Sequence, residues 1–290
     1  MPKVPEPITG TVIAKAASAA GSSTAAETGK LIQRILGPAA DEFGQALARS
    51  VAYRTRNFGR IADKAAKKAS ADLERGIVNP RVAYVLLDEG SLCDDELMAE
   101  YLGGVMAGSR TPDGRDDRAV VWSRVVTGLS AFQVRAHYLL YREWADRLHG
   151  IQEPIFDGRA PYKDATLVVD DDEFMHALIG GRVVSGDPSN VVNHAIIGLL
   201  SVGLICDDYG FNINADEAFD NFLAPSALVV TPTLYGVELY VWAQGTPDMH
   251  LEEFTSKAVV FELDEAIPRL QRVLLPNLPG QTDGQDALDG

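Results

Sequence analysis

The strongest candidate for metal chemistry in the sequence is a run of carboxylates followed by a histidine. Residues 170–173 read Asp-Asp-Asp-Glu, and Glu173 and His176 have the i, i+3 spacing that places two side chains on one helix face. Carboxylate oxygens and an imidazole nitrogen can bind a divalent metal. The same run is typical of a helix N-terminus, where the helix dipole favours negative charge. Because this second interpretation needs no metal, we predict no metal site.

Motifs for other common chemistries do not occur. A phosphate-binding loop ends in Gly-Lys followed by Ser or Thr, whereas Gly29-Lys30 is followed by Leu31. The sequence has no Gly-x-Ser-x-Gly elbow, and its five histidines form no HExxH pair. Cys93 and Cys206 lack metal or redox spacing, which predicts reduced, buried thiols in a reducing compartment. We therefore predict a non-enzymatic protein without catalytic residues or a cofactor.

The composition is that of a globular protein whose core needs no metal or disulfide. The chain has 290 residues, of which 46% are apolar and 23% charged, enough for one large domain or two ordinary ones. No signal peptide is recognisable, and no run approaches the roughly 18 uninterrupted apolar residues of a membrane span. We expect a soluble, cytoplasmic protein.

The two halves of the chain differ strongly in charge. Residues 1–150 contain 20 Lys and Arg against 18 Asp and Glu, whereas residues 151–290 contain 6 against 23. Such asymmetry indicates two domains with different partners, or two domains that attract each other.

A basic amphipathic helix is predicted from Ala39 to about Arg75, a stretch without proline. Residues 49–75 contain eight basic and three acidic side chains. One interpretation is a helix that packs on the core and exposes a solvated charged face. The other is a docking surface for anionic lipid, nucleic acid or an acidic protein. The apolar stripe comprises Phe43, Leu47, Val51, Phe58, Ile61 and Ala65, and the candidate surface opposite comprises Arg49, Arg56, Arg60, Lys64 and Lys67.

The remaining patterns predict a mainly α-helical fold, with a helical N-terminal domain and a winged-helix-like α+β C-terminal domain. Helices are expected at 81–87, 97–107, 118–128 and 131–148, the last with Ser130 as its N-cap. The predicted segments are a flexible leader (1–24), the helical domain (25–150), a linker with a strand at 165–169 (151–172), the acidic winged-helix-like domain (173–275) and a disordered tail (276–290).

The second domain is predicted from the order helix, helix, strand, loop, strand, helix, which is typical of a winged helix. The expected helices are 174–184, 190–204 and 231–242, with a strand at 227–230 and a further strand and helix within 254–275. Between Arg182 and Lys257 the sequence contains no Lys or Arg but ten acidic residues. Since DNA binding depends on cations that neutralise phosphates, we expect this unit to contact protein or to complete the core rather than to bind DNA.

Several stretches between Thr28 and Gly245 resemble the abortive-infection alpha family of bacterial phage-resistance proteins. The chain differs from that family at Leu102-Gly103-Gly104, where the family usually has Trp-Ala-Asn. The resemblance implies a role in phage defence and transfers no catalytic residue. The similar stretches are 29–44, 89–107, 125–131, 199–205 and 230–236.

The leading functional hypothesis is a non-enzymatic, abortive-infection type defence protein that acts through protein contacts, possible partners including a phage component. One alternative is an effector that lies on an anionic membrane through residues 39–75. A second is a regulator that binds nucleic acid through the same basic helix.

Overall fold

The computed structural model describes residues 49–69, 76–148, 165–214, 222, 224–247, 261, 263 and 266–276. Within these residues the chain is mainly helical with two small antiparallel sheets, which confirms the predicted class. The contacts divide the chain into two units, 1–53 and 54–290. Of the first unit only residues 49–53 are described, and they are helical. No helix among the described residues is long and apolar enough to cross a membrane.

The first part of the fold contains five helices connected by short segments. Residues 49–68 are helical and are called α1. A 3-10 turn at Gly90–Leu92 precedes α3, and two short strands pair antiparallel. The bounds are β1 Ile77–Val78, α2 Pro80–Asp88, α3 Glu96–Gly108, β2 Arg110–Thr111, α4 Ala119–Gly128 and α5 Ala131–Arg147.

Side-chain caps explain where these helices begin. The Asn79 side chain accepts from the Arg81 N–H, and the following Pro80 is tolerated in a first turn. Ser130 and Gln133 form a capping box at the start of α5, so the predicted N-cap is confirmed. The helix predicted at 97–107 is confirmed to within one residue as α3, and Asp95 caps it by accepting from the Met98 N–H.

Two adjacent glycines let α3 pack closely between α1 and a later helix, α8 (Leu234–Ala243). A Cβ atom on Gly103 would lie 2.7 Å from Lys64 Cβ, and one on Gly104 would lie 2.0 Å from the carbonyl oxygen of Ala243. Side chains at either position would therefore push the helices apart. The Gly-Gly pair that distinguishes this chain from the family it resembles is thus required by its own packing.

The second part of the fold surrounds a four-stranded antiparallel sheet of order β4-β5-β3-β6. In the middle of the sheet Val168 pairs with Val229, and Val169 pairs with Val273 on the far strand. A pair of helices, α6 and α7, connects β3 to β4. The bounds are β3 Leu167–Asp170, α6 Asp171–Ile179, α7 Ser189–Ser201, β4 Gly210–Asn214, β5 Ser226–Val230, α8 Leu234–Ala243 and β6 Val273–Leu274.

The predicted boundary between two domains does not match the packing. One hydrophobic cluster extends from Ile61 in α1 to Leu275, and α5 lies inside it with residues 133–145 buried. The strand predicted at 165–169 is confirmed as β3, but it is buried in the core rather than part of a linker. The leader 1–24, most of the linker (151–164) and the tail from 277 lie outside the described residues.

Two predicted helices also need correction. The helix expected at 174–184 begins at Asp171, because Asp170 caps it, and ends at Ile179 before Gly180, whose φ is 60°. Within 254–275 the described residues 266–272 are not helical. Their backbone is bound instead by α5: Arg142 donates to the carbonyl oxygens of Ile267 (3.0 Å) and Pro268 (2.5 Å).

Replacing Arg142 should strongly destabilise the fold. Arg142→Met would leave these two carbonyls without their donor and would remove the nearer of the two cations beside Glu143. The side chains of Arg142 and Glu143 are only 5% and 4% exposed, so water cannot replace the lost contacts. We expect the free energy of unfolding to fall by about 2–3 kcal/mol in urea titrations. Arg147→Met is the matched control: Arg147 is more exposed and 3.7 Å from Glu143, so a loss below about 1 kcal/mol is expected. Equal losses would contradict this account.

Candidate functional site

Part of the predicted basic surface of α1 is directed into the molecule. Arg60 donates to the carbonyl oxygen of Asp94 over 2.8 Å, and Lys64 Nζ lies 2.6 Å from Glu100 Oε1. The buried stripe of α1 passes through Asn57 and Ile61, which are fully buried. Arg60 and Lys64 therefore lie beside this stripe, and the prediction that they lie opposite it is wrong. The contacts with Asp94 and Glu100 therefore direct this side of α1 toward α3.

The other three predicted cations lie on exposed surface. Arg56 and Lys67 are exposed on the part of α1 that belongs to the second unit, and Arg49 is exposed in the first. Val51, which was assigned to the apolar stripe, is 57% exposed. The candidate surface is thus reduced to Arg56 and Lys67 in the second unit and Arg49 in the first.

Lys68 and Arg54, two cations that were not among the predicted surface residues, bind other parts of the fold. Lys68 donates to the carbonyl oxygens of Glu100 (2.8 Å) and Ala243 (3.0 Å), and its ammonium lies 4.3 Å from the ring centroid of Phe261. Arg54 Nε donates to Ser91 Oγ over 2.8 Å. The signal for the lysines was present, because Lys64 and Lys68 have the same i, i+4 spacing as Glu96 and Glu100 on α3.

Glu100 is the centre of this cluster. Its side chain is 1% exposed and forms ion pairs with both Lys64 and Lys68. Although burial disfavours the charged ammonium, the hydrogen bond and charge of Glu100, with a smaller effect of Glu96, raise the pKa of Lys64 above its usual value. Lys64 therefore stays protonated, and the ion pairs of both lysines with Glu100 hold α1 on α3.

The acidic run that was considered for a metal is used for structure. Asp170 accepts from the Glu173 N–H at the start of α6 and forms an ion pair of 2.7 Å with Arg272. His176 Nδ1 contacts the carbonyl oxygen of Asp172, 2.6 Å away. Among the described residues no three His, Cys, Asp or Glu side chains are grouped as metal ligands.

The two cysteines are free thiols, as predicted, but they are half-buried rather than buried. Burial raises the pKa of both thiols, and neighbouring carboxylates, Asp94 for Cys93 and Asp208 for Cys206, add to the effect.

The most strongly perturbed histidine lies in the core. His137 is fully buried, with Nε2 3.1 Å from the Gly236 carbonyl oxygen and Nδ1 2.8 Å from Tyr101 Oη. A carbonyl only accepts, so Nε2 must carry the proton and Nδ1 must accept from the tyrosine. Burial lowers the pKa of His137 to about 3 despite the opposing Gly236 bond, so the ring is neutral at physiological pH.

Asp171 shows the opposite shift. Its buried carboxylate accepts from the Asn212 N–H over 3.0 Å, which links α6 to β4 where Asn212 has a positive φ of 58°. Burial raises the pKa of Asp171 to about 6, and the charges of Asp170 and Asp172 raise it further against hydrogen bonds from Ser226 and Asn212.

Helix α7 presents one neutral and partly apolar stripe to solvent. Val192, Ile196 and Leu199 are buried, whereas Asn193 and Ser201 are exposed and Ile197 is 51% exposed. We call Asn190, Asn193, Ile197 and Ser201 the α7 face.

The C-terminal end of α7 is strongly negative. Gly203, with φ 75°, ends the helix in a Schellman-type turn in which Leu204 N–H binds the Leu199 carbonyl oxygen over 2.9 Å. No basic residue lies in the last turn of the helix, and Asp207 and Asp208 follow as exposed side chains. The helix end thus has no compensating cation within its last turn, and the next charged residues in the chain are acidic.

Two open clefts flank α4 on the described surface. The cleft toward α8 has a volume of about 420 Å³ and contains Trp122, Tyr235 and Trp242. The cleft toward α2 has a volume of about 270 Å³. It is lined by Pro80, Arg81, Tyr84, Val85, Val120 and Arg124.

Comparison with known proteins finds no matching family model, no similar curated protein and no similar solved structure.

Removing the Glu100 charge should loosen α1 from α3. In Glu100→Gln both Lys64 and Lys68 lose their buried carboxylate partner, and Lys64 keeps only the more exposed Glu96. We expect the free energy of unfolding to fall by about 3 kcal/mol in urea titrations. Glu96→Gln is the control, because Glu96 is 25% exposed and 3.4 Å from Lys64, and should lose less than about 1 kcal/mol. A neutral effect of Glu100→Gln would contradict the role given to this cluster.

The stability of the fold should depend on pH through two groups of opposite sign. The folded pKa of His137 (about 3) lies below its unfolded value, so this stabilising contribution is lost as the pH falls from about 6.5, by up to about 1.4 kcal/mol per unit. The folded pKa of Asp171 (about 6) lies above its unfolded value, so its contribution is present at pH 4 and is lost as the pH rises through 6.

Urea titrations between pH 4 and 7 separate the two contributions. His137→Gln should flatten the loss of stability on acidification, and Asp171→Asn should make that loss steeper. Profiles that stay parallel to that of the unaltered chain would contradict both assignments.

Proposed function

We propose that this chain is a non-enzymatic protein that acts in phage defence by binding another protein through the α7 face and the carboxylates that follow it. The observation that carries the protein-binding part is the exposed α7 face, which combines Ile197 with neutral polar side chains and is followed in the chain by the exposed Asp207 and Asp208. The defence role is what the resemblance over residues 28–245 implies.

We further propose that residues 131–230 form a winged helix. In that fold a helix precedes a strand, a helix pair and two strands, and the strand after the first helix pairs with the last one. The order α5-β3-α6-α7-β4-β5, with β5 between β4 and β3, supports this assignment. In such a unit α7 occupies the position of the recognition helix.

The charge near α7 favours protein over DNA as its partner. Phosphate binding needs cations, and none is present on α7. The preceding Arg182 forms an ion pair with Asp95 and lies 5.4 Å from the ring centroid of Phe132. A protein partner that brings Lys or Arg to Asp207 and Asp208 would compensate both the carboxylates and the negative end of the helix.

The two alternative functions of α1 receive less support from the geometry. Both require the basic face to meet lipid headgroups or phosphates. Arg60 and Lys64, which belong to that face, are bonded to Asp94 and Glu100 instead. A membrane or nucleic-acid contact would depend on Arg56 and Lys67, with Arg49 from the first unit.

Phage plating on bacteria that express the chain tests the proposal. The double variant Asp207→Asn/Asp208→Asn and the single variant Ile197→Asp should each lose protection, because either change weakens the proposed contact by about tenfold or more. The side chains are exposed, so the urea midpoint should stay unchanged and exclude misfolding as the cause.

Arg56→Glu/Lys67→Glu is the comparison variant. Protection should persist in it, and the purified chain should bind anionic vesicles no better than the variant does. Protection lost in this variant but kept without Asp207 and Asp208 would reject the proposal and favour the basic helix. No protection by the unaltered chain against a broad phage panel would reject the defence role.

A further inference from the structure

We infer that the cleft between α2 and α4 is a docking surface for the α7 face of a second copy of this chain, an inference that rests on the proposed function because it names the partner. The two surfaces would meet head to tail, the cleft of one copy receiving the α7 face of the next. Such a contact is heterologous and leaves one free surface on each end of a pair.

The cleft has the composition of a protein-binding site. Arg81 and Arg124 lie on its two walls, and Tyr84 between them is 68% exposed. Arg and Tyr are the residue types that most often dominate binding energy in interfaces. No carboxylate lines this cleft, and Arg124 forms no ion pair with any residue that the structure describes. Arg81 is paired with Asp117, but both side chains are more than half exposed, and such pairs exchange partners at little cost.

The α7 face and the loop that follows it contain the carboxylates that this cleft lacks. Ile197 is 51% and Val202 is 38% exposed, and Asp207 and Asp208 follow them on the surface. Exposed apolar side chains followed by two carboxylates are complementary in charge and polarity to a cleft lined by a tyrosine and two arginines.

A second copy is the occupant that the charges of this chain indicate. The sequence from 183 to 256 contains ten acidic residues and no basic one, whereas the α2–α4 cleft is lined by arginines alone among charged residues. Both surfaces belong to the unit 54–290 and both are exposed in it, so neither is covered by the other within one chain.

The formal charge of −15 on each copy opposes association at long range. At physiological ionic strength the Debye length is about 8 Å, so this repulsion is screened while guanidinium–carboxylate contacts at about 3 Å are retained. We therefore expect a weak, reversible association rather than a permanent oligomer.

Sedimentation velocity of the full chain, at about 0.15 M NaCl and up to about 200 µM protein, tests the inference. The unaltered chain should show a mass that increases with concentration. Arg81→Gln/Arg124→Gln removes the cations of the cleft, and Asp207→Asn/Asp208→Asn removes the carboxylates. Each variant alone should associate at least about tenfold more weakly.

An equal mixture of the two variants is the decisive measurement. Each then supplies one intact surface, so association should reappear but stop at two copies. Arg56→Gln/Lys67→Gln and Asp63→Asn/Asp172→Asn make the same changes of net charge on exposed positions elsewhere and should associate like the unaltered chain. Unchanged urea midpoints exclude unfolding.

Three results would overturn the inference: a monomeric unaltered chain over the whole range, variants that associate as it does, or a mixture that stays monomeric. A monomeric chain whose protection still depends on Asp207 and Asp208 would reject this inference and keep the proposed function. Self-association as described, with protection that does not depend on these carboxylates, would keep this inference and reject the proposed function.

Discussion

Buried carbonyl groups need hydrogen-bond donors, and this fold depends on helix α5 to supply them. The carbonyls that α5 binds belong to several of the elements packed around it. An unpaired carbonyl in a protein interior costs as much as a lost hydrogen bond, and several elements end inside this core. Helix α5 passes through the core and carries polar side chains that each donate to one of those ends. The bonds are Arg135 to Ala177 (2.7 Å), His137 to Gly236 (3.1 Å), Tyr141 to Leu204 (2.5 Å), Arg142 to Ile267 (3.0 Å) and Trp144 to Ala165 (2.8 Å).

This constraint also explains which parts of the fold the sequence could predict. Helix starts are local, since a cap such as Ser130 acts within four residues, and the helices after proline or a cap were placed correctly to within a few residues. Composition gave no sign that one core crosses the predicted domain boundary, because the donors of α5 act over separations of 21 to 126 residues. Nothing in the local pattern of 266–272 shows that Arg142 will bind its backbone in a non-helical form.

The candidate site was predictable to the extent that charge alone determines it. The absence of cations from 183 to 256 is a sequence fact, and it argues against phosphate as a ligand of α7. The basic face of α1 was predicted from helical periodicity, which gives the angular positions of side chains but not the direction of the core. That direction is set by Glu100, whose carboxylate draws Lys64 and Lys68 inward, and by Gly103, which allows α1 to approach. The side of α1 that faces the core is therefore determined by contacts between helices, which the pattern of one helix does not show.

The buried and the exposed stripe of α7 have separate roles. The buried stripe fixes the position of the helix, and the exposed stripe is the part that a ligand would contact. Val192, Ile196 and Leu199 are buried and hold the helix against the core, so they determine where α7 lies and at which angle it is presented. Asn193, Ile197 and Ser201 point outward and can change without disturbing that packing, because surface side chains away from caps contribute little to stability. A change of ligand class at such a helix therefore requires changes only in the outer stripe and in the loop that follows. In this chain the stripe contains no Lys or Arg, and Asp207 and Asp208 in the loop add negative charge, whereas a DNA-binding unit needs positive charge.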